Sequence, residues 1–168
     1  MNLTKKQVKA FLEVLSSDDT RPILTQASIE LHNDHTYLVA TDAYKLAAIL
    51  VNGVSDMIGK RIPREELVKW YKLASNKDYF TDENVRELAT LDPEEHGKYP
   101  EWQKLMPKDD QEKSQQTSIG VNASYLLTME NLAQERTGSG MYWDCYNNTM
   151  LVNRSNDNYY IVMELRKR

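Results

Sequence analysis

Cysteine is almost absent from this sequence. The only one is Cys145, so the chain forms no internal disulfide. A chain without disulfides suits a reducing compartment, and we expect a cytoplasmic protein. The N-terminal stretch MNLTKKQVKAFLEVL holds no continuous apolar run of signal-peptide length, and no later stretch approaches the length of a membrane span. We therefore expect no membrane partner.

An excess of positive charge is missing as well. The 168 residues carry a formal net charge of -4, which argues against tight, non-specific binding of polyanions over the whole surface. A net charge of -4 is still compatible with a local basic face. Hydrophobic residues make up 40% and charged residues 27%, as in an ordinary soluble chain. The length fits one domain with a substantial core.

Signatures of catalysis are also missing. The sequence has no Walker loop, no dinucleotide fingerprint and no GxSxG motif. Cys145 has no His or Asp partner in a recognisable motif, so we do not assign it as a nucleophile. We predict no catalytic residue, no metal and no cofactor. The enzymatic alternative is a small metal-dependent hydrolase or nuclease around Asp42, His32 and His35, although His32 to His35 is more typical of a hairpin turn.

The first part of the chain combines a helix with an antiparallel meander. Apolar residues at helical spacing predict a helix over residues 4–15, with Thr4 as its N-cap. Alternating apolar residues then predict strands over 23–31, 36–41 and 44–51. Asp42 and Ala43 fall at the tight connection between the last two strands.

The last part repeats this pattern. The segment SIGV predicts a short strand, and Asn122 is a good N-cap for the helix ASYLLTMENLAQ. Three strands are then predicted, in MYWDCY, TMLVNR and NYYIVMEL. The pattern of helices and meanders predicts an α+β fold with helices packed on antiparallel sheets.

The middle of the chain is less regular. Pro63 begins a predicted helix that continues through LVKWYKLA. The polar stretch 75–98 shows no strong strand pattern except at 78–81, and KDDQEKSQQ is typical of an exposed linker. We expect a single domain over 1–168, made of a helix-meander unit (1–53), a middle helix with a polar connector (54–114) and a second helix-meander unit (115–168).

Five segments in order resemble the bacterial DNA polymerase III β sliding clamp family. They are RPILTQASIELHNDHTYLVATDAYKLA, RIPREELVKWYKLA, KYPEWQKLMP, IGVNASYLLTMENL and YYIVMELR. The resemblance covers most of the chain and implies a DNA-clamp-like fold. A clamp subunit has three domains, so this chain resembles a reduced, single-domain-sized relative, and a phage or mobile-element source is one interpretation of that reduction.

The resemblance implies a surface pocket for the short clamp-binding peptide motifs of polymerases and other replication proteins. Matched residue by residue, its three walls are Thr41, Ala43, Tyr44, Lys45 and Leu46; Pro100, Lys104 and Leu105; and Ile161, Val162, Met163, Glu164, Leu165 and Arg166. Tyr44 replaces a usual His, Ala43 a usual Gly and Glu164 a usual Pro. Without the resemblance, the residues around Asp42 indicate only a tight turn, and the segment IVMEL indicates only a half-buried strand.

Clamp helices line a central hole and face double-stranded DNA with basic side chains. The matching cations here are Lys5, Lys6, Lys9, Arg64, Lys69 and Lys72. The alternative is a solvated helix face, which is what charge runs usually form.

The resemblance therefore predicts a non-enzymatic replication accessory protein. In one form, homo-oligomers assemble into a ring around DNA and tether a polymerase. In the other, a monomeric peptide-binding module competes with the clamp and encircles no DNA.

Overall fold

The structure is a computed structural model that describes residues 1–92, 97–106, 120–133, 143–146, 150–155 and 157–163. The helices are α1 Lys5–Val14, α2 Arg64–Leu73, α3 Asp82–Leu88 and α4 Ala123–Ala133. The strands are β1 Asn2–Thr4, β2 Gln26–His32, β3 His35–Thr41, β4 Lys45–Val51, β5 Arg61–Pro63, β6 Tyr79–Thr81, β7 Asp144–Tyr146, β8 Met150–Ser155 and β9 Asn158–Met163. The predicted α+β class is confirmed.

Helix α1 begins where the sequence predicts. The Thr4 hydroxyl accepts a hydrogen bond from the Gln7 backbone N–H at 3.3 Å, and the Gln7 side chain accepts one from the Thr4 N–H at 2.9 Å. This capping box satisfies two backbone donors at the start of the helix. The apolar face of α1, including Val8 and Phe11, is buried against the sheet and its neighbouring helices.

Seven strands form one antiparallel sheet in the order β5-β2-β3-β4-β9-β8-β7. The central contact joins β4 to β9, with a register from Lys45 opposite Val162 to Ala48 opposite Tyr159. This pairing joins strands from the first and last parts of the chain in one sheet. A separate two-stranded sheet pairs β1 with β6.

The sheet has an apolar core on each face. The helix-side core lies between the sheet and the helices, and it includes Phe11, Leu38 and Val162. The outer core lies on the opposite face and contains Tyr37, Val39, Leu46, Ala48, Tyr99, Trp102, Val152 and Ile161. Because Tyr99 and Trp102 belong to it, residues 97–106 cover the face of the sheet that the helices leave open.

Three predicted elements differ in the structure. Residues 22–25 form a 3₁₀ helix, so β2 begins only at Gln26 rather than at position 23. Helix α3 lies inside the stretch predicted to be a polar connector, and the Thr81 capping box with Asn84 begins it. Val121 is not in a strand, while residues 117–119 and the predicted linker at 108–116 lie outside the described residues.

Of the helices in the described part of the chain, none has the length and apolar composition of a membrane span.

Candidate functional site

The turn between β3 and β4 is held by its own side chains. One carboxylate oxygen of Asp42 accepts hydrogen bonds from the backbone N–H groups of Tyr44 and Lys45, both at 2.9 Å. The Thr41 hydroxyl accepts from the Ala43 N–H at 3.1 Å and donates to the Lys45 carbonyl at 2.9 Å. These bonds keep Ala43 in the left-handed region, with φ of 76°. The interruption of the apolar strand is therefore a rigid turn.

Lys45 is a buried cation beside this turn. Its side chain is 8% exposed, and its ammonium forms an ion pair with the second Asp42 oxygen. The same Nζ lies 4.6 Å from the centre of the Tyr125 ring of α4, a distance at which a cation–π interaction is favourable. Tyr44 stacks on the same ring, with centroids 6.5 Å apart. Helix α4 thus supplies an aromatic neighbour that the sequence did not assign to this site.

The segment 97–106 forms the wall opposite the turn. Trp102 is fully buried and packs against Tyr37 and Tyr159, with ring centroids 5.9 and 6.0 Å away. The Tyr99 hydroxyl donates to the Val39 carbonyl at 3.1 Å. These two anchors fix Pro100 between them, and the 3₁₀ helix over 102–105 presents Leu105 beside it.

A cavity of about 320 Å³ lies between these walls. It is lined by Leu24, Thr41, Ala43, Lys45, Leu46, Pro100, Glu101, Trp102, Leu105, Ile161 and Met163. Leu46 and Ile161 are almost fully buried, whereas Leu105 is 41% exposed. The structure therefore brings residues from all three predicted walls to one predominantly apolar cavity.

Some predicted pocket residues do not line this cavity. Val162 is buried in the helix-side core, because neighbouring residues of a strand point to opposite faces. The Tyr44 side chain is 57% exposed, and its carbonyl accepts the Met163 N–H at 2.9 Å. Lys104 is exposed and forms an ion pair with Glu101. Glu164, Leu165 and Arg166 lie outside the described residues.

Leu24, Glu101 and Trp102 also line the cavity, although the sequence does not predict them there. The sequence pattern predicts Leu24 in a strand, but the 3₁₀ helix that begins at Pro22 directs it to the cavity. Glu101 and Trp102 directly follow Pro100, which the resemblance places in the pocket wall. Their position next to Pro100 is the signal in the sequence that could have placed them in the cavity wall. That position does not show that Trp102 is fully buried.

The rim of the cavity carries a compact ion network. Glu101 pairs with both Lys98 and Lys104. Hydrogen bonds from Lys104 and Lys98 lower the pKa of Glu101 to about 2. Glu101 is therefore ionised at neutral pH, and it balances one of the two lysine charges.

The six cations predicted to face DNA have different environments. Lys6 and Lys9 are exposed on α1. Lys5 instead donates to the Ala74 carbonyl at 2.6 Å, 5.0 Å from the centre of the Tyr71 ring. Arg64, Lys69 and Lys72 line a shared cavity of about 390 Å³ on α2, together with Ser17, Asp19, Thr25, Glu65 and Val68.

The residues of the hydrolase alternative lie apart. His35 begins β3, and Asp42 follows its last residue. Six strand residues lie between them, which corresponds to about 23 Å along the strand. His32 lies among aromatic rings, 5.1 Å from Trp102 and 5.6 Å from Tyr159 between ring centroids. Within the described residues, no three His, Cys, Asp or Glu side chains lie together as a metal site.

No protein-family model and no curated protein sequence matches this chain. Solved structures do match. DNA polymerase III subunit β from Borrelia burgdorferi, in complex with a natural product, aligns with a TM-score of 0.66 and 10% identity, over 100% of this chain and 64% of that one. The sliding clamp from Bacillus subtilis aligns with a TM-score of 0.65 and 13% identity, over 100% and 64%.

The sliding clamp from Bartonella birtlesii, bound to griselimycin, aligns with a TM-score of 0.62 and 17% identity, over 99% of this chain and 66% of that one. The chain therefore has the fold of the bacterial sliding clamps. Its whole length corresponds to 64% of the first two clamp chains. The clamp-like fold implied by the five sequence segments is confirmed.

Proposed function

We propose that this protein is a non-enzymatic, clamp-like accessory protein of DNA replication that binds short linear peptides of a polymerase or another replication protein. The single observation that supports this proposal is the 320 Å³ cavity. Its lining comes from the turn after β3, the Pro100 segment and strand β9, which are the three walls implied by the resemblance. A cytoplasmic location belongs to the same proposal.

The chemistry of the cavity favours apolar side chains. Leu46, Leu105 and Ile161 contribute aliphatic surface, and Met163 adapts its shape to different ligands. Full burial of one Leu or Phe side chain contributes about 1.5–3 kcal/mol. Two such side chains therefore contribute about 3–6 kcal/mol, which is less than the roughly 8 kcal/mol of a micromolar complex, so other contacts of the peptide have to contribute the rest. Lysines at the rim increase the rate of encounter more than the affinity.

Fluorescence polarisation with a labelled peptide of the Gln-Leu-x-Leu-Phe type tests the proposal. We expect saturable binding to the native protein and loss of that binding in Leu46→Asp, because the new carboxylate would be buried in the cavity. Leu105→Asp is a second variant, and the 41% exposure of Leu105 makes misfolding less of a concern.

The matched control is Leu73→Asp, since Leu73 is 88% exposed on α2 and lines none of the cavities described above. It should bind the peptide as the native protein does. Absence of binding to the native protein at high concentration would overturn the proposal and leave the clamp likeness as one of fold alone.

A second candidate function is that of a monomeric module that captures clamp-binding peptides without encircling DNA. One observation favours it over a ring. The outer edge of β5 already pairs with Leu91, through hydrogen bonds of 3.0 Å from the Arg61 N–H and 3.2 Å to the Arg61 carbonyl. A neighbouring copy cannot extend the sheet at these groups while Leu91 occupies them.

A further inference from the structure

Ala43 has an unusual backbone conformation in the wall of the proposed peptide cavity. Its φ of 76° lies in the left-handed region, and the residue lines the cavity. Three other non-glycine residues in the described part of the chain have a positive φ, and all of them are Asn or Asp, which adopt this region more readily: Asn33, Asp34 and Asp157. Alanine is therefore the exception, and glycine would fit this backbone without steric penalty.

The strained backbone draws attention to the side chain of Ala43. Residues in such conformations concentrate at binding and catalytic sites, where the strain accompanies a function. The side chain of alanine is a single methyl group, and a glycine at this position would lack only that group. Ala43 is exposed, so a ligand that enters the cavity can contact this methyl group directly.

The methyl group is carried by a rigid wall. The Asp42 carboxylate accepts a hydrogen bond from the Tyr44 N–H at 2.9 Å, and the Ala43 N–H donates to the Thr41 hydroxyl at 3.1 Å. The Tyr44 carbonyl also accepts the Met163 N–H of β9 at 2.9 Å. These bonds fix the turn internally and to the neighbouring strand, so the wall has little freedom to move away from a ligand.

The wall opposite Ala43 is fixed as well. Pro100 lies in the segment 97–106, which two buried aromatic side chains anchor to the outer core. The cavity volume of about 320 Å³ is near the lower end of the roughly 300–1,000 Å³ that ligand sites usually have. Where packed walls adjust so little, one methyl group changes which ligand fits.

We propose that the methyl group of Ala43 sets the size limit for the peptide side chain that enters the cavity. Aliphatic side chains and the single ring of Phe are accepted, while the two-ring indole of Trp is rejected. The partner class is thus narrower than apolar motifs in general, since its cavity-filling residues carry no more than one ring. This inference rests on the proposed function.

A pair of labelled peptides tests this inference by fluorescence polarisation. The peptides are Gln-Leu-Ala-Leu-Phe and Gln-Leu-Ala-Leu-Trp, both with blocked C-termini. An indole offers more apolar surface than a phenyl ring, so without steric exclusion the Trp peptide would bind at least as tightly. We expect it to bind the native protein about tenfold more weakly than the Phe peptide, the smallest effect usual for a poorly fitting apolar group.

Two variants separate the size of the side chain from the strain of the turn. Glycine and asparagine both tolerate the left-handed region, so both substitutions relieve strain and should keep the turn. Ala43→Gly removes the methyl group and should strengthen binding of the Trp peptide about tenfold, which brings the ratio of the two dissociation constants close to one. Ala43→Asn adds bulk and should weaken binding of both peptides.

Ala74→Gly is the matched control, because it makes the same chemical change at the end of α2 and Ala74 does not line this cavity. It should leave the ratio unchanged. Equal binding of the two peptides to the native protein, or a ratio that Ala43→Gly does not change, would overturn this inference and leave the proposed function intact.

The two variants at position 43 also distinguish the methyl group from the turn. If Ala43→Gly and Ala43→Asn changed the affinity for the Trp peptide in the same direction, relief of strain would be the cause, and the inference would be wrong. Failure of both peptides to bind the native protein would instead remove the proposed function, and this inference with it.

Discussion

Ala43 occupies a backbone conformation that costs a residue with a Cβ free energy. Its φ of 76° is imposed by the hydrogen bonds of Thr41 and Asp42 around it. Glycine adopts this region without steric penalty. We therefore expect Ala43→Gly to raise the free energy of unfolding by about 0.5–1 kcal/mol, measured by urea denaturation.

Ala47→Gly is the matched control for that substitution. Ala47 is fully buried in β4, where glycine loses packing and adds freedom to the unfolded chain. The same chemical change should therefore destabilise the protein by roughly 1 kcal/mol. If Ala43→Gly were destabilising to a similar degree, the turn would not hold the conformation described here.

Glu101 gives a prediction for pH dependence. Because its pKa is lowered to about 2, the lysine contacts stabilise the folded protein above the ordinary Glu value of 4.5 and are lost as the pH falls toward 2. An NMR titration of the side-chain carboxyl carbon should show a midpoint near 2. Lys104→Gln should move it toward 4.5, since it removes the largest cause of the shift. A midpoint near 4.5 in the native protein would contradict the ion network.

Single residues of the cavity were predictable where a motif named them, as for Thr41, Pro100 and Leu105. The prediction is wrong for Val162, because the resemblance to the family places consecutive residues of β9 in the same pocket wall. The alternation of strand side chains would have excluded it, since Ile161 and Met163 share a face and Val162 does not. Leu24 was out of reach because the 3₁₀ helix after Pro22 has no distinctive periodicity in the sequence.

At the scale of elements, α1 presents two of its lysines to solvent and uses the third internally. We expect weak, salt-sensitive binding to a double-stranded DNA oligonucleotide through Lys6 and Lys9. The double variant Lys6→Gln/Lys9→Gln should weaken it and reduce the slope of log affinity against log salt by about 2. Fluorescence polarisation of a labelled duplex at several salt concentrations measures both quantities.

Two single variants serve as controls for this experiment. Lys98→Gln removes an exposed cation near the opposite face of the sheet and should leave DNA binding unchanged. Lys5→Gln should reduce stability more than DNA affinity, because Lys5 is bonded to the Ala74 carbonyl. A duplex affinity that does not respond to Lys6 and Lys9 would identify α1 as an ordinary solvated helix face.

Most elements were predictable from local signals, and the exceptions have physical reasons. Helices α1 and α2 carry apolar stripes and clear starts at Thr4 and Pro63. Helix α3 has seven residues, mostly polar, and only Val85 among them is fully buried. Its start is marked by the Thr81 capping box, a signal present in the sequence but obscured by the polar composition around it. The structure of the region around α3 depends on a tertiary contact, the pairing of β6 with β1.

At the scale of the whole molecule, local patterns could not predict how the two ends of the chain meet. Residues of β4 pair with residues of β9 that are more than 100 positions away, such as Leu46 with Ile161. Apolar alternation predicts that each is a strand but does not select its partner. Only the resemblance to clamps implied that β4 and β9 lie close together. The cavity forms because these two strands are paired. Its apolar floor joins Leu46 of β4 to Ile161 of β9.

The sheet edges lead to a prediction about assembly. The seven-stranded sheet ends at β5 and β7, and at β5 the backbone groups of Arg61 are bonded to Leu91. Head-to-tail closure of a ring needs a second surface that accepts the next copy, and continuation of the sheet at these groups is blocked. We expect a monomer of 19.5 kDa at micromolar concentration, measured by sedimentation velocity over a dilution series. A mass of several copies that persists on dilution would contradict this expectation. It would favour a ring around DNA, in which tethering acts by raising the effective concentration of a bound polymerase.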